Sequence, residues 1–231
     1  MKRSKCHLLY FAAVILLCIN NHVQAQAQNQ HQAIDSQNPL VYGLIVDNSG
    51  SLRSNWHEVI EAGKLIVNSH KMGDEVFIVS FVDSENIKVV QDFTSNKAAL
   101  IDSLERMYVK GGSSAIVDAV YFSLQHISQG RGVNSSAIRR VLILITDGDE
   151  RQSFYKLEQL LKLVRETGVR VYAIGFITAL KQDIGITTKK KATNFLNRIA
   201  DESGGRAFFP ETMAEGRNIA SCILDDIRKQ Q

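Results

Sequence analysis

The chain has 231 residues, 45% of them hydrophobic and 22% charged, a composition that suits one large globular domain or two small ones. The formal charge of +3 is misleading, because the first 25 residues hold three Lys/Arg and no Asp/Glu, leaving 24 basic and 24 acidic residues in the rest. A neutral body of that kind has no global positive field to recruit nucleic acid or anionic lipid, and a count of two prolines, Pro39 and Pro210, argues against a Pro-rich linker inside the fold.

The amino terminus has the pattern of a secretory signal. Lys2, Arg3 and Lys5 form a charged start, Leu8 to Ile19 form an apolar stretch too short to span a bilayer comfortably, and Val23-Gln24-Ala25 is spaced for cleavage after Ala25. Removal of residues 1–25 predicts a secreted or periplasmic protein with no integral membrane segment. Residues 26–38, rich in Gln, Asn and Ala, read as a flexible leader, and the folded domain is expected over residues 39–229. Cys6 and Cys18 leave with the signal, so Cys222 has no partner within the chain. Ile219 and Ile223 beside it predict a buried, small apolar residue rather than a bridge between chains.

In chain order, Val41 to Val46 is a continuous apolar strand. Trp56, Val59, Ile60, Gly63 and Val67 then recur at helical spacing. Glu75 to Val82 and Ile87 to Phe93 are two strands separated only by Asp83 to Asn86, which predicts a hairpin and hence an antiparallel edge. A helix is expected over 96–107 and another through Ile116, Ala119, Val120, Leu124 and Ile127. Arg140 to Ile145 is again apolar and is followed by the helical set Leu157, Leu160, Leu161 and Val164. Arg170 to Ile177 is a strand, 191–203 a helix, Gly205 to Phe209 a final edge strand and 213–229 a last helix. This alternation predicts an α/β fold: a doubly wound, mostly parallel central sheet with one antiparallel edge strand and helices on both faces. Ligands of such sheets sit outside the carboxyl ends of the central strands.

Three distant segments bring small oxygen-bearing residues to those ends. Asp47-Asn48-Ser49-Gly50-Ser51 follows the first strand, and its Asp47, Ser49 and Ser51 side chains alternate so that a loop can aim them at one point. Gly111-Gly112-Ser113-Ser114 precedes a helix and contributes Ser114. Thr146-Asp147-Gly148 follows the strand ending at Ile145 and contributes Asp147. Two carboxylates and three hydroxyls form a set of hard oxygen donors, the kind preferred by Mg²⁺ or Mn²⁺, with Ca²⁺ a further option. Each segment alone also suits a turn or a helix cap; the three together, each at an element boundary, point to an ion site.

At these residues the chain resembles the von Willebrand factor type A domains, the group that includes integrin inserted domains, over about residues 40–228. Their metal-ion-dependent adhesion site is written Asp-x-Ser-x-Ser, then a Thr, then an Asp in a Thr-Asp-Gly context. Here Asp47, Ser49 and Ser51 complete the first part, Ser114 stands at the Thr position, and Thr146-Asp147-Gly148 matches the last. The resemblance implies the doubly wound fold, a divalent cation and protein binding. Ser49, Ser51 and Ser114 would contact the ion directly, while Asp47 and Asp147 would hold it through waters, or directly when no partner is bound. A carboxylate on another protein would complete its shell. Ser in place of Thr at 114 keeps the hydroxyl and loses a rotamer-fixing methyl. Glu150 stands where close relatives often carry Asp, a change expected at the rim of the site. The resemblance also implies that the last helix shifts when the site changes coordination.

Other patterns are weaker. His57-Glu58 begins like a zincin helix, but Glu61 stands where the second histidine is required. There is no Gly-x-Ser-x-Gly elbow and no phosphate-binding loop. Lys189-Lys190-Lys191 reads as a solvated loop, and Asn134-Ser135-Ser136 as a glycosylation acceptor by pattern alone. The expectation is a binding module rather than an enzyme; the alternatives are a metal-dependent hydrolase and a metal-free scaffold.

Overall fold

The computed structural model describes residues 39–130, 138–180 and 186–229. The signal pattern, the leader and Asn134-Ser135-Ser136 lie outside them. Among the described residues the strands are β1 (Leu40–Asp47), β2 (Glu75–Phe81), β3 (Ile87–Thr94), β4 (Arg139–Thr146), β5 (Arg170–Gly175) and β6 (Ala207–Phe208). The α-helices among them are α1 (Trp56–Asn68), α2 (Lys97–Glu105), α3 (Ile116–Gln129), α4 (Leu157–Thr167), α5 (Ile186–Ser203) and α6 (Met213–Lys229).

The strands form one sheet in the order β3-β2-β1-β4-β5-β6, parallel throughout except for the β2–β3 hairpin at one edge. This is the expected doubly wound arrangement. β1 is buried at every position, as its unbroken apolar run requires of a strand covered on both faces. The two-residue repeat of the strands divides the core. Leu40, Tyr42, Leu44 and Val46 of β1 pack with α1, α2 and α6, whereas Val41 and Ile45 pack with α3, α4 and α5. Gly43 is the small member of this pattern. It lies opposite Phe77 in register, and a Cβ there would stand 2.2 Å from the Phe77 ring, so the glycine makes room for the aromatic.

Three expectations are corrected. Lys189-Lys190-Lys191 is not a loop: α5 begins at Ile186 and carries the run on its first turns, with Lys190 and Lys191 exposed. Cys222 is exposed, not buried. The buried stripe of α6 is Gly216, Ala220, Ile223, Leu224 and Ile227, and at about 100° per residue Cys222 falls on the far side of the helix. The segment after β5 also turns earlier than expected, into a short 3₁₀ turn at Ile177–Ala179. Among the described residues no helix is long and apolar enough to cross a membrane.

Candidate metal centre

The parallel register of β1 and β4 sets Val46 beside Ile145, so the loops after these strands leave the sheet side by side. Asp47, the last residue of β1, is fully buried. Its Oδ1 accepts the Ser49 N–H at 2.9 Å, closing a tight loop on itself. Its Oδ2 accepts the Thr146 hydroxyl at 2.6 Å and the Ser114 hydroxyl at 3.2 Å. The Ser49 and Ser51 hydroxyls lie 3.1 Å apart. Asp147, also fully buried, accepts the Asp149 N–H through Oδ1 at 3.0 Å, while its Oδ2 is buried without a hydrogen-bond partner. The structure therefore brings the five sequence-predicted residues, Asp47, Ser49, Ser51, Ser114 and Asp147, to one place.

The electrostatics of that place are unbalanced. Burial, and then the neighbouring Asp147 charge, push the Asp47 carboxyl up to about 7 against the hydrogen bonds that favour its ionised form. Burial pushes Asp147 upward too, with the Ser51 hydroxyl and the Asp149 amide pulling back. Among the described residues, the hydrogen-bond and ion-pair partners of both aspartates include no Lys or Arg. The nearest arginine in sequence, Arg151, pairs with Asp149 at 2.6 Å and reaches Asp147 only as a weaker coulombic attraction, with no direct contact. Two buried carboxylates served only by neutral donors, one with a bare oxygen, are costly as they stand and suit a small hard cation. The residues present thus fit such an ion. Asp47, Ser49, Ser51, Ser114 and Asp147 are the ones that would hold it.

Sequence reasoning missed how the loops are fixed. Thr146 is a positioning residue: its hydroxyl donates to Asp47 and accepts the Gly148 N–H at 3.1 Å. Gly148 takes φ +79°, and its Cα packs so closely on Ala192 and Leu196 that a Cβ would meet them at 3.0 Å. Ser114 does not cap α3. The residue before the helix is Ala115, which has no capping side chain. Glu150 supplies the cap from a distance, its Oε2 accepting the Val117 N–H at 2.9 Å, and the Ser153 hydroxyl accepts the Asp118 N–H at 3.2 Å. Asp118 returns the contact, accepting the N–H groups of Phe154 at 2.7 Å and Tyr155 at 2.8 Å. The Ser114 carbonyl accepts Arg151 N–H at 3.0 Å. These bonds stitch the Asp147 loop to the start of α3 and leave the Ser114 hydroxyl free to face Asp47. The signal for this was faint: Glu150 and Ser153 three residues apart, with no visible tie to a helix more than thirty positions earlier.

His57 and Glu58 lie on the first turn of α1, and Glu61 pairs with Lys64 at 3.0 Å. Nothing there builds a metal-binding helix.

The same fold occurs in an aerotolerance-related membrane protein from Bacteroides fragilis NCTC 9343, with a TM-score of 0.62 and 17% identity over 83% of this chain and 99% of that one. The pilus adhesin SpaC from Lactobacillus rhamnosus GG is similar with a TM-score of 0.64 and 15% identity, covering 82% of this chain and 30% of that one. In sequence, the collagen alpha-6(VI) chain of Homo sapiens is 28% identical over 148 residues, 62% of this chain and 6% of that protein. The chain spans less than half the length of the curated relatives it matches. The pattern that describes the von Willebrand factor type A domain matches residues 43–221, and by that match, over most of its length, the chain belongs to the von Willebrand factor type A domain family.

Proposed function

We propose that the protein is an exported interaction module, not an enzyme, that binds a carboxylate of a partner protein through a divalent cation, Mg²⁺ or, in its place, Mn²⁺ or Ca²⁺. The observation that carries this reading is the pair of buried aspartates whose hydrogen-bond partners are all neutral, with Asp147 Oδ2 making no hydrogen bond and three hydroxyls gathered around Asp47 and Ser49. The bound cation would supply an electrophilic anchor for an acidic ligand. The chain's own residues do the rest. Thr146 and the Ser49 amide hold Asp47 in its orientation, and the Asp149 amide holds Asp147 through Oδ1. The neutral hydroxyls of Ser49, Ser51 and Ser114 are ligands that do not cancel positive charge. Similarity to a pilus adhesin and a collagen chain supports an interaction role, and the charged, apolar and small-residue pattern of residues 1–25 supports export.

Titration calorimetry with Mg²⁺ tests this directly. Wild type should take up one ion, and Asp47→Ala none. At about a hundredfold excess over Kd the ion should stabilise the fold by about 2.7 kcal/mol. A wild-type protein that gives no heat and no thermal shift with Mg²⁺, Mn²⁺ or Ca²⁺ would leave a metal-free scaffold. Turnover of phosphate ester, carboxyl ester or peptide substrates that needs the ion would favour the hydrolase instead.

A further inference from the structure

On the α2 side of the metal centre the surface falls into a groove of about 320 Å³ that begins at Asn48, the residue after Asp47. Its apolar wall is unusual. Among the described residues five large hydrophobics are well exposed, and two of them line this groove: Tyr108, 64% exposed, and Val90, 39% exposed, with Met107 beside them. Val90 is there because the hairpin bulges. The register passes from Ile78 opposite Gln91 to Val79 opposite Val89, so Val90 has no partner position and turns outward.

The groove is rimmed by cations. Lys110 sits 5.9 Å over the Tyr108 ring, and Arg106 lines the wall while pairing with Asp102 at 2.9 Å. Lys88, exposed, lies opposite Ser80, itself a lining residue. Among the described residues no acidic one lines the groove, and Asp102 offsets Arg106, so Lys110 leaves the lining with a positive excess. At the inner end Asn48 is almost fully buried. Its Nδ2 donates to the Tyr108 carbonyl at 2.9 Å, and its Oδ1 is buried with no partner. The Lys110 N–H donates to the Asn48 carbonyl at 3.0 Å, so groove and metal centre are held in one register.

We propose that this groove receives an extended acidic segment of the partner protein. Placing its first carboxylate on the ion rests on the function proposed above. Further carboxylates along the segment reach Lys110 and Arg106, and intervening apolar side chains cover Val90, Met107 and Tyr108. An extended strand repeats its side-chain direction at about 6.6–6.8 Å, which suits alternating acidic and apolar residues. Charge-assisted bonds from Arg and Lys to carboxylates, and an aromatic anchor, are the usual sources of affinity at such a surface.

A fluorescein-labelled decapeptide alternating Asp and Val is the probe, read by anisotropy with Mg²⁺ and with chelator. Wild type should bind it, and the Asn–Val counterpart should not bind. The double reversal Arg106→Glu with Lys110→Glu should weaken binding by about tenfold or more and steepen none of its salt dependence, while Mg²⁺ uptake by calorimetry stays unchanged. The unchanged uptake shows that the variant is folded. Mg²⁺ uptake with no decapeptide binding, or with equal binding by the reversed variant, overturns the groove and leaves the ion reading standing. Binding that needs Arg106 and Lys110 but is indifferent to chelator overturns the ion reading and upholds the groove. Equal affinity for a single-stranded oligonucleotide of similar charge would overturn the assignment to an acidic protein segment.

Discussion

The sheet carries buried aspartates at both of its ends, and they are built on opposite plans. Asp74, at the start of β2, is almost fully buried, and both of its oxygens are served: Oδ1 accepts the Leu40 N–H at 2.9 Å, and Oδ2 accepts the Lys71 N–H at 2.8 Å and the guanidinium of Arg228 from α6. Its charge is neutralised by the protein itself. At the other end Asp47 and Asp147 have only neutral donors, and one Asp147 oxygen has none. The first arrangement joins the ends of β2 and α6 and has nothing left to offer. The second leaves its carboxylates to neutral hydrogen-bond donors, and the proposed cation would supply the charge the chain does not. Burial of an aspartate therefore says little alone; the presence or absence of an internal cation separates a structural role from a binding one.

The contrast can be broken most forcefully at Asp74. Arg228→Met should strand that carboxylate and cost about 3–5 kcal/mol in urea unfolding, with most of the loss recovered when Asp74→Asn is added. The next effect is in pH. Asp47 holds its proton up to about 7 in the folded chain, against 3.8 for an ordinary aspartate, so the ion-free fold binds more protons than the unfolded chain between those values. Its stability should fall as pH rises from about 4 to about 7 and level off above. Saturating Mg²⁺ should reverse that slope, since ion uptake requires the ionised carboxylate. Thermal melts across that window, with Mg²⁺ and with chelator, provide the check. Glu150→Ala should cost about 1 kcal/mol through the lost cap on α3 and weaken Mg²⁺ uptake by loosening the Asp147 loop. Asp147→Asn should have the smallest effect on the ion-free fold, within about 0.5 kcal/mol or slightly stabilising, while abolishing the Mg²⁺-induced shift. A large loss of stability in that variant under chelator would erase the distinction between the two ends.

The strands at the centre were readable because they are buried on both faces: β1 and β4 are apolar runs with little else to be. The hairpin edge was readable from the short gap at Asp83 to Asn86. The loops after β1 and β4 were readable because their oxygen donors follow directly on those strands, and Ser114 because two glycines precede it and a helical pattern follows. What could not be read was action at a distance. Thr146 orients Asp47 across ninety-nine positions, and Glu150 caps a helix thirty-three positions before it, and neither contact has a local pattern. Cys222 was misjudged because Ile219 and Ile223 flank it in sequence while the buried stripe of α6 runs along the opposite side. The first turns of α5 were missed because three consecutive lysines carry no apolar period, and the packing of Ala192, Leu196 and Ile199 further along decides that helix.

The cap that α3 borrows from Glu150 and Ser153 bears on any attempt to engineer the protein. A loop graft that carries Asp47, Ser49, Ser51, Ser114 and Asp147 to a new scaffold would transplant the donors and leave behind their splint. The helix would arrive with an uncapped end, and the loop bearing Asp147 would lose its moorings. The transferable unit is wider than the motif: it joins Asp47 through Ser51 to Ser114 through Asp118 and Thr146 through Tyr155, moved as one piece.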